Sequence, residues 1–199
     1  MAADDATREA QQIARGLVDA AKRREPELTR LVKQCAEEAG GEVVGLEFCI
    51  KSEESLVRKI KENNRRKEAV SLDFAKNIKD VNRYTIMFSE TNFVDGFTKS
   101  MGILKKSGND VISVSNTLKD VNTQYRGVNT SLKRKDDSMW ELQFHTPKSL
   151  EIKEINHKMY EISRLSTTPK DEKERLVKLM EENAKTIPTP KNVEEIKDK

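Results

Sequence analysis

The stretch MWELQFH, residues 139–145, alternates between apolar and polar side chains, which predicts a β-strand. Successive side chains of a strand point to opposite faces of its sheet. One face would carry large apolar residues and pack against the core: Trp140, Leu142 and Phe144. The other face would carry a carboxylate, an amide and an imidazole: Glu141, Gln143 and His145. This polar face is either an ordinary solvated sheet surface or the floor of a functional site.

Four further strands and a set of helices are predicted around this strand. The strands are EVVGLEFCIK (42–51), VNRYTIMFS (81–89), DVISVSNTL (110–118) and YRGVNTSLKR (125–134), the last joined to MWELQFH by a KDDS turn. Helical patterns cover residues 4–24, a second helix from about Pro26 to Gly40, and then 52–64, 92–107, 147–165 and 170–185, with a helical turn near 72–80. The predicted fold class is α/β (α+β), a mixed five-stranded sheet with helices packed against it.

Length and charge limit what this chain can be. Its 199 residues fit one domain, with N-terminal helices (1–41), a core (42–165) and a C-terminal helix followed by a mobile tail (166–199). Because 37 basic residues nearly balance 34 acidic ones, the net charge of +3 excludes the global basic field of a non-specific nucleic-acid binder.

Cysteine usage and hydropathy point to a cytoplasmic protein, unless another system delivers it. Cys35 and Cys49 are isolated and lack metal-ligand spacing, so both are expected in the core. No signal-peptide pattern and no apolar run of membrane-spanning length is present, so no membrane partner is expected. Walker-type and GxGxxG phosphate loops and zinc-ligand spacings are also absent from the sequence.

Asp80 is a second acid at a strand end, because it comes just before the strand 81–89. Two carboxylates from neighbouring strands that meet on one polar face provide the hard oxygen ligands that Mg²⁺ prefers when it also binds nucleotide phosphates. Asp80 and Glu141 are therefore a candidate magnesium pair.

Basic residues lie near the end of another predicted strand. Lys51 ends the strand 42–51, and Arg58 and Lys59 lie about two turns into the following helix. Together with Ser52 and the first helical N–H groups they could hold a phosphate. The alternative is a solvated basic helix face, which is the commoner outcome for such a cluster.

The segment TQYRGVNTSL, residues 123–132, offers groups that could bind a nucleoside. Tyr125 could stack on a base, and Arg126 or Asn129 could contact a phosphate or ribose, while Gly127 permits close backbone approach. The alternative is a turn whose tyrosine packs on the rim of the domain.

Five segments together resemble the RelA/SpoT-type alarmone synthetase domain in order and approximate spacing. They are IKSEESLVRK, IKDVNRYTI, LKD…YRGVNTSL, WELQFHT and EINHKMYE, spread over about residues 42–165. The resemblance implies a nucleotidyltransferase-like synthetase fold and a small stand-alone or toxin-type synthetase. Such domains transfer the β,γ-pyrophosphate of ATP to the 3′-hydroxyl of a purine nucleotide, which gives (p)ppGpp or (p)ppApp. A toxin-type member would have an immunity or antitoxin protein as its partner.

The resemblance also implies roles for individual residues. Asp80 and Glu141 would hold Mg²⁺, and Glu141 would accept the proton of the 3′-hydroxyl. The residues along the ATP phosphates would be Lys51, Ser55, Arg58, Lys59 and Arg83. The residues around the acceptor nucleotide would be Lys119, Tyr125, Arg126, Asn129, Gln143, His145 and His157. Tyr160 matches the helix that closes the family's site.

Two positions depart from the family pattern on the acceptor side. Asn129 stands where a histidine is usual, and His145 stands where an arginine is usual.

Two other functions therefore stay open. One is pyrophosphorylation of the tRNA 3′ end, favoured by basic residues in NNRRK (63–67) and in the helix 170–185. The other is a non-catalytic nucleotide- or RNA-binding module.

Overall fold

The computed structural model describes residues 2–66, 74, 75 and 77–199; of residues 2–6 and 64–66 it describes only the backbone. Residues 72, 73 and 76 of the helical turn predicted near 72–80, and the basic side chains of NNRRK, lie outside these residues. The main helices described are α1 (Ala2–Ala39), α2 (Glu53–Arg66), α3 (Phe93–Lys106), α4 (Pro147–Ser163) and α5 (Lys170–Lys185). The strands are β1 (Glu42–Val44), β2 (Arg83–Met87), β3 (Asp110–Asn116), β4 (Val128–Lys133) and β5 (Met139–His145).

The five strands form one mixed sheet in the order β1-β2-β5-β4-β3, which confirms the predicted fold class. β2 and β5 run parallel, and every other neighbouring pair is antiparallel. Because parallel strands begin at the same edge of a sheet, the residues that precede β2 lie beside the first residues of β5. The Glu141 amide accordingly donates to the carbonyl of Asn82 at 2.9 Å.

One face of the sheet packs against α1 and α3, and alternation decides which strand residues it buries. Trp140, Leu142 and Phe144 are fully buried in the core beneath these helices, as the sequence predicts. Tyr84 of β2 contacts Trp140 edge to face, with 6.0 Å between ring centroids. The opposite face of β5 is left for its polar side chains, which are only half-buried at Glu141 and Gln143.

The N-terminus forms one helix, so the prediction of two helices separated at Pro26 is wrong. α1 runs for 38 residues with Pro26 inside it. Its first half packs on α2 through alanines such as Ala14, and its second half enters the sheet core through Leu28 and Val32. The packing of both halves of α1 outweighs the local cost of a proline within a helix, about 3 kcal/mol.

The strand predicted over residues 42–51 is also shorter than expected. It stops at Val44 because Gly45 adopts φ 65°, and a 3₁₀ turn follows at Leu46–Phe48. A single bridge between Ile50 and Asn82 restores the pairing with the segment before β2. Lys51 is thereby placed beside the start of β2, where the Lys51 amide donates to the carbonyl of Val81 at 2.9 Å.

The C-terminal tail packs against the domain, in contrast to the mobile tail predicted from its composition. Ile187, Val193 and Ile196 are buried in the core. Lys199 exchanges two backbone hydrogen bonds with Val114 of β3, at 3.1 and 2.9 Å. β3 is an edge strand, and the tail pairs with part of its open side.

Two smaller expectations concern cysteines and membranes. Cys35 and Cys49 are both buried and unbridged, as predicted. None of the helices described is long and apolar enough to cross a membrane.

Candidate active site

A cleft of about 490 Å³ opens between α2, α4 and the segment before β2. Its lining is dominated by charged side chains: Lys51, Glu54, Ser55, Arg58, Lys59, Glu62, Asp80, Arg83, His157, Tyr160, Glu161 and Arg164. Every residue that the sequence assigned to the ATP phosphates lines this cleft. His157, assigned to the acceptor, lies here too, beside the donor residues.

The spacing of residues on α2 explains why its polar side chains face the same cleft. Ser52 precedes the helix, and the Ser55 amide donates to Ser52 Oγ at 3.3 Å, which is the hydrogen bond of a helix N-cap. Ser55 and Lys59 are four residues apart and therefore lie one above the other on one helix face. The N-terminal turn of α2, with its partial positive charge, contributes Ser55 to the cleft.

Asp80 is held by two lysines at the base of the cleft. Lys51 Nζ donates to its Oδ2 at 2.6 Å, and Lys59 Nζ donates to its Oδ1 at 2.7 Å. Burial alone would raise the pKa of Asp80, but the hydrogen bonds and charges of the two lysines outweigh burial and lower it. Asp80 is therefore a carboxylate anion at neutral pH.

Glu141 lies on the polar face of β5, directly across from Arg83 of β2. Its Oε1 accepts a hydrogen bond from Gln143 Nε2 at 2.6 Å. Burial raises the pKa of Glu141, the Gln143 hydrogen bond opposes this, and the negative charge of Asp80 raises it further. A carboxylate with a raised pKa is a stronger proton acceptor than an exposed glutamate.

The two acids suit a divalent cation that also binds substrate. Asp80 is close enough to Glu141 for its charge to raise the pKa of Glu141, and a cation between them would relieve this repulsion. Mg²⁺ needs only one or two carboxylates when waters and phosphates complete its shell. No group of three or more His, Cys, Asp or Glu residues that could hold a metal ion occurs in the part of the chain that the structure describes.

A row of polar side chains continues from Glu141 toward β4. Asn129 of β4 pairs in register with Gln143, and Tyr125 donates its hydroxyl to Asn129 Oδ1 at 2.6 Å. The same hydroxyl lies 2.9 Å from His145 Nε2. We refer to Tyr125, Asn129, Gln143 and Glu141 as the acceptor row. The structure thus brings together four residues that the sequence assigned to the acceptor side or to catalysis.

His145 supports the acceptor row from behind. It is fully buried, and its Nδ1 lies 2.9 Å from Ser149 Oγ in the first turn of α4. Burial lowers the pKa of His145 to about 3, and the charge of Lys153 contributes to the shift. The imidazole is neutral at physiological pH. Gly127 fits beside it because a Cβ there would lie only 2.5 Å from His145 Cε1.

Arg126 and Lys119, which the sequence assigned to the acceptor, are engaged elsewhere. Arg126 is 1% exposed, and its guanidinium donates to the carbonyls of Ala184, Ile187 and Leu118 and to Thr189 Oγ1. Lys119 forms an ion pair with Asp198. The guanidinium of Arg126 and the ammonium group of Lys119 both bind the C-terminal tail and are not part of the acceptor row.

Sequence reasoning missed several residues of α4. Lys153 donates to Gln143 Oε1 at 2.8 Å, and Arg164 and Glu161 line the cleft. Ion pairs connect α4 with α2 across the cleft: Arg58 with Glu161 at 3.3 Å and Arg164 with Glu62 at 3.0 Å. A spacing signal was available, because Lys153, His157, Tyr160 and Arg164 recur at helical intervals on one face.

The fold and the site define a class: the chain has the fold of RelA/SpoT-type synthetase domains. It resembles small alarmone synthetase 2 from Bacillus subtilis, with 17% identity, 85% of this chain and 89% of that chain covered, and a TM-score of 0.58. It also resembles the Type VI effector Tas1, solved in complex with its immunity protein, with 20% identity, 88% and 94% covered, and a TM-score of 0.53. Small alarmone synthetase 1 from Bacillus subtilis, bound to its product pppGpp, gives 19% identity, 83% and 85% covered, and a TM-score of 0.51.

These similarities concern the fold. No protein-family model matches the sequence, and the comparison with curated proteins finds no match. Activity therefore has to be argued from the cleft, Asp80, Glu141 and the acceptor row.

Proposed function

We propose that this protein is a nucleotide 3′-pyrophosphokinase that uses ATP as donor and a purine nucleotide as acceptor. The observation that carries the proposal is the position of Asp80 and Glu141 at the starts of two parallel strands, beside a cleft lined by the cations assigned to ATP. Transfer of a phosphoryl-type group depends mainly on positioning and charge neutralisation, which this arrangement offers. The products would be AMP and an alarmone of the (p)ppGpp or (p)ppApp type.

The cations of the cleft would bind the ATP phosphates. Arg58 and Lys59 face the cleft from α2, and Lys51 and Arg83 approach it from the sheet. Asp80 and Glu141 would hold Mg²⁺, which would neutralise part of the charge on the phosphates when bound. Because Arg58 is paired with Glu161, ATP phosphates would have to replace that carboxylate.

Glu141 would act as the general base. It would take the proton from the acceptor 3′-hydroxyl as that oxygen forms a bond to the β-phosphorus of ATP. The bond between the β-phosphorus and the oxygen that bridges to the α-phosphate would break, and AMP would leave. Gln143, which donates to Glu141 Oε1, would keep the second carboxylate oxygen turned toward the acceptor.

The test is direct. Purified protein would be incubated with ATP, Mg²⁺ and one of GDP, GTP, ADP or ATP as acceptor, and AMP and the pyrophosphorylated product would be measured. We expect AMP release with at least one acceptor and none for Glu141→Gln. Absence of AMP with every acceptor, RNA included, would reject the proposal.

A nucleotide acceptor is favoured over tRNA by the surface of α5. Its basic residues are interleaved with acids, for example Arg175 with Glu172 at 2.7 Å and Lys170 with Glu174 at 3.7 Å. A strand of RNA would therefore meet mixed charges on this helix. Transfer of labelled pyrophosphate into tRNA, with none into free nucleotides, would reverse this preference.

A further inference from the structure

Lys153 is a half-buried cation that forms no ion pair among the described residues, although the more distant charges of Glu141 and Glu154 act on it. Its Nζ donates to Gln143 Oε1 at 2.8 Å, and this is its one hydrogen bond among the residues described. No carboxylate in the described parts of the chain lies within 4.0 Å of it, in contrast to Lys51, Lys59, Arg58 and Arg164, which all have one. An ammonium group removed from water without a counter-ion is costly, so an anion that binds there would be stabilised.

Lys153 is also the cation that touches the acceptor row. The two cations assigned to the acceptor by sequence, Arg126 and Lys119, hold the C-terminal tail. His145 is neutral and is enclosed by Tyr125 and Ser149. Within the described chain, Lys153 therefore remains the positive group within hydrogen-bond distance of this row.

The geometry of β5 suggests which part of an acceptor would reach it. Glu141 and Gln143 lie two residues apart on one strand face, a separation of about 7 Å. An acceptor whose 3′-oxygen lies at Glu141 would extend along the row by the width of one ribose. Its 5′-phosphates would then come close to Gln143 and the ammonium group above it.

We propose that Lys153 is a specificity-determining residue that binds the 5′-phosphates of the acceptor nucleotide. The inference rests on the proposed function, and it adds a requirement that the acceptor carry phosphates. A nucleoside or an uncharged ribose would leave Lys153 without an anion. A di- or triphosphate would provide one.

The experiment compares Lys153→Met, which keeps the length of the stem, with Lys153→Arg, which keeps the charge. Lys158→Met removes an exposed cation from the same helix and is the matched control. The apparent KM would be measured for the acceptor and, separately, for ATP. We expect Lys153→Met to raise the acceptor KM about tenfold or more and to leave the KM for ATP within about twofold, since a hydrogen bond to a charged group is lost. Lys153→Arg should restore most of the affinity.

A binding measurement separates this inference from the proposed function. Calorimetry on the Glu141→Gln protein, with purine nucleoside, monophosphate and diphosphate as ligands, should show affinity that increases with phosphate number, and Lys153→Met should remove that increase. An unchanged acceptor KM in Lys153→Met, or an equal loss for ATP, would overturn the role of Lys153 while the pyrophosphokinase proposal stands. If the wild type released no AMP, the proposed function would fail, and the phosphate dependence would still decide the role of Lys153.

Discussion

Arg83 of β2 and Glu141 of β5 lie directly opposite each other in the parallel pair at the centre of the sheet. The register is fixed by the hydrogen bond from the Glu141 amide to the carbonyl of Asn82. Since a shift by one residue would turn Glu141 toward the core, the buried reverse face of β5 also determines where its carboxylate points. Substitution of Glu141 should therefore affect mainly catalysis, and substitution of its neighbour Trp140 should affect mainly the stability of the fold.

Glu141→Gln should abolish turnover without unfolding the protein. General-base catalysis contributes about 100- to 10,000-fold, so kcat should fall by at least about 100-fold. The pKa of Glu141 is raised in the folded state, so its ionised form opposes folding at neutral pH, and the melting temperature should stay the same or rise. AMP release and thermal melting would be measured together, with Glu154→Gln on exposed α4 surface as the control. A lower melting temperature with activity retained would contradict this assignment.

Trp140→Ala should show the opposite phenotype. Trp140 is fully buried, contacts Tyr84 edge to face and donates its Nε1 hydrogen to Asn109 Oδ1 at 3.0 Å. Truncation should lower the free energy of unfolding by about 3–5 kcal/mol, as for other buried aromatic residues. Urea denaturation gives the value, and Trp140→Phe should lose less. If Trp140→Ala impaired only turnover while Glu141→Gln unfolded the protein, the two faces of β5 would be reversed.

Glu161→Gln should improve ATP binding. The carboxylate of Glu161 lies 3.3 Å from Arg58, and both side chains are partly exposed. Such pairs contribute about 0.2–1 kcal/mol, so freeing Arg58 for the phosphates should lower the KM for ATP by up to about fivefold. Steady-state kinetics at low ionic strength would detect this difference, and Glu151→Gln, whose partner Lys148 lies outside the cleft lining, is the control. A higher KM would mean that Glu161 assists ATP binding.

The features that follow from the sequence alone depend on local periodicity. Alternation in MWELQFH identifies Trp140, Leu142 and Phe144 as the buried apolar face of β5, and the four-residue spacing of Ser55 and Lys59 accounts for both lining the cleft. Both features follow from the geometry of a single strand or helix, so they can be read without knowing the fold. Lys153 follows the same rule, because its spacing from His157 and Tyr160 predicts that all three lie on one face of α4.

The parts that the sequence did not predict depend on contacts between distant residues. Arg126 follows a tyrosine in a loop and precedes a glycine, which resembles a binding loop, but its partners Ala184 and Ile187 come about 60 residues later. The sequence of the tail is polar and predicts a mobile segment, because the open edge of β3 with which the tail pairs cannot be recognised from the sequence. The continuity of α1 through Pro26 likewise depends on two separate packing surfaces. No local pattern contains this information.

Arg126→Met should destabilise the protein and release its C-terminus. The guanidinium makes hydrogen bonds to four oxygen atoms, of the last turn of α5, of the tail and of the loop at Leu118, so their loss should cost about 3 kcal/mol or more. Limited proteolysis followed by mass spectrometry should show faster cleavage after residue 185. Lys119→Met, which breaks only the exposed pair with Asp198, should have a much smaller effect. Weaker acceptor binding with an intact tail would restore the role predicted from sequence.

Stability should fall in mild acid because of His145. The pKa of His145 is about 3 in the folded state and ordinarily 6.5. Between these two pH values the imidazole is therefore protonated in the unfolded chain and neutral in the folded protein. His145 therefore does not reduce the free energy of unfolding above pH 6.5. Below that pH the free energy of unfolding falls progressively toward pH 3, by about 2 kcal/mol at pH 5.

Urea midpoints at pH 7.5, 6 and 5 would measure this slope, and His145→Gln should flatten it even if that variant is less stable at every pH. His157→Gln removes the other, exposed histidine and provides the comparison. An equal pH slope in His145→Gln and wild type would show that His145 accepts a proton within the fold. In that case the imidazole behind the acceptor row would be charged in mild acid, and it would compete with Lys153 for the acceptor phosphates.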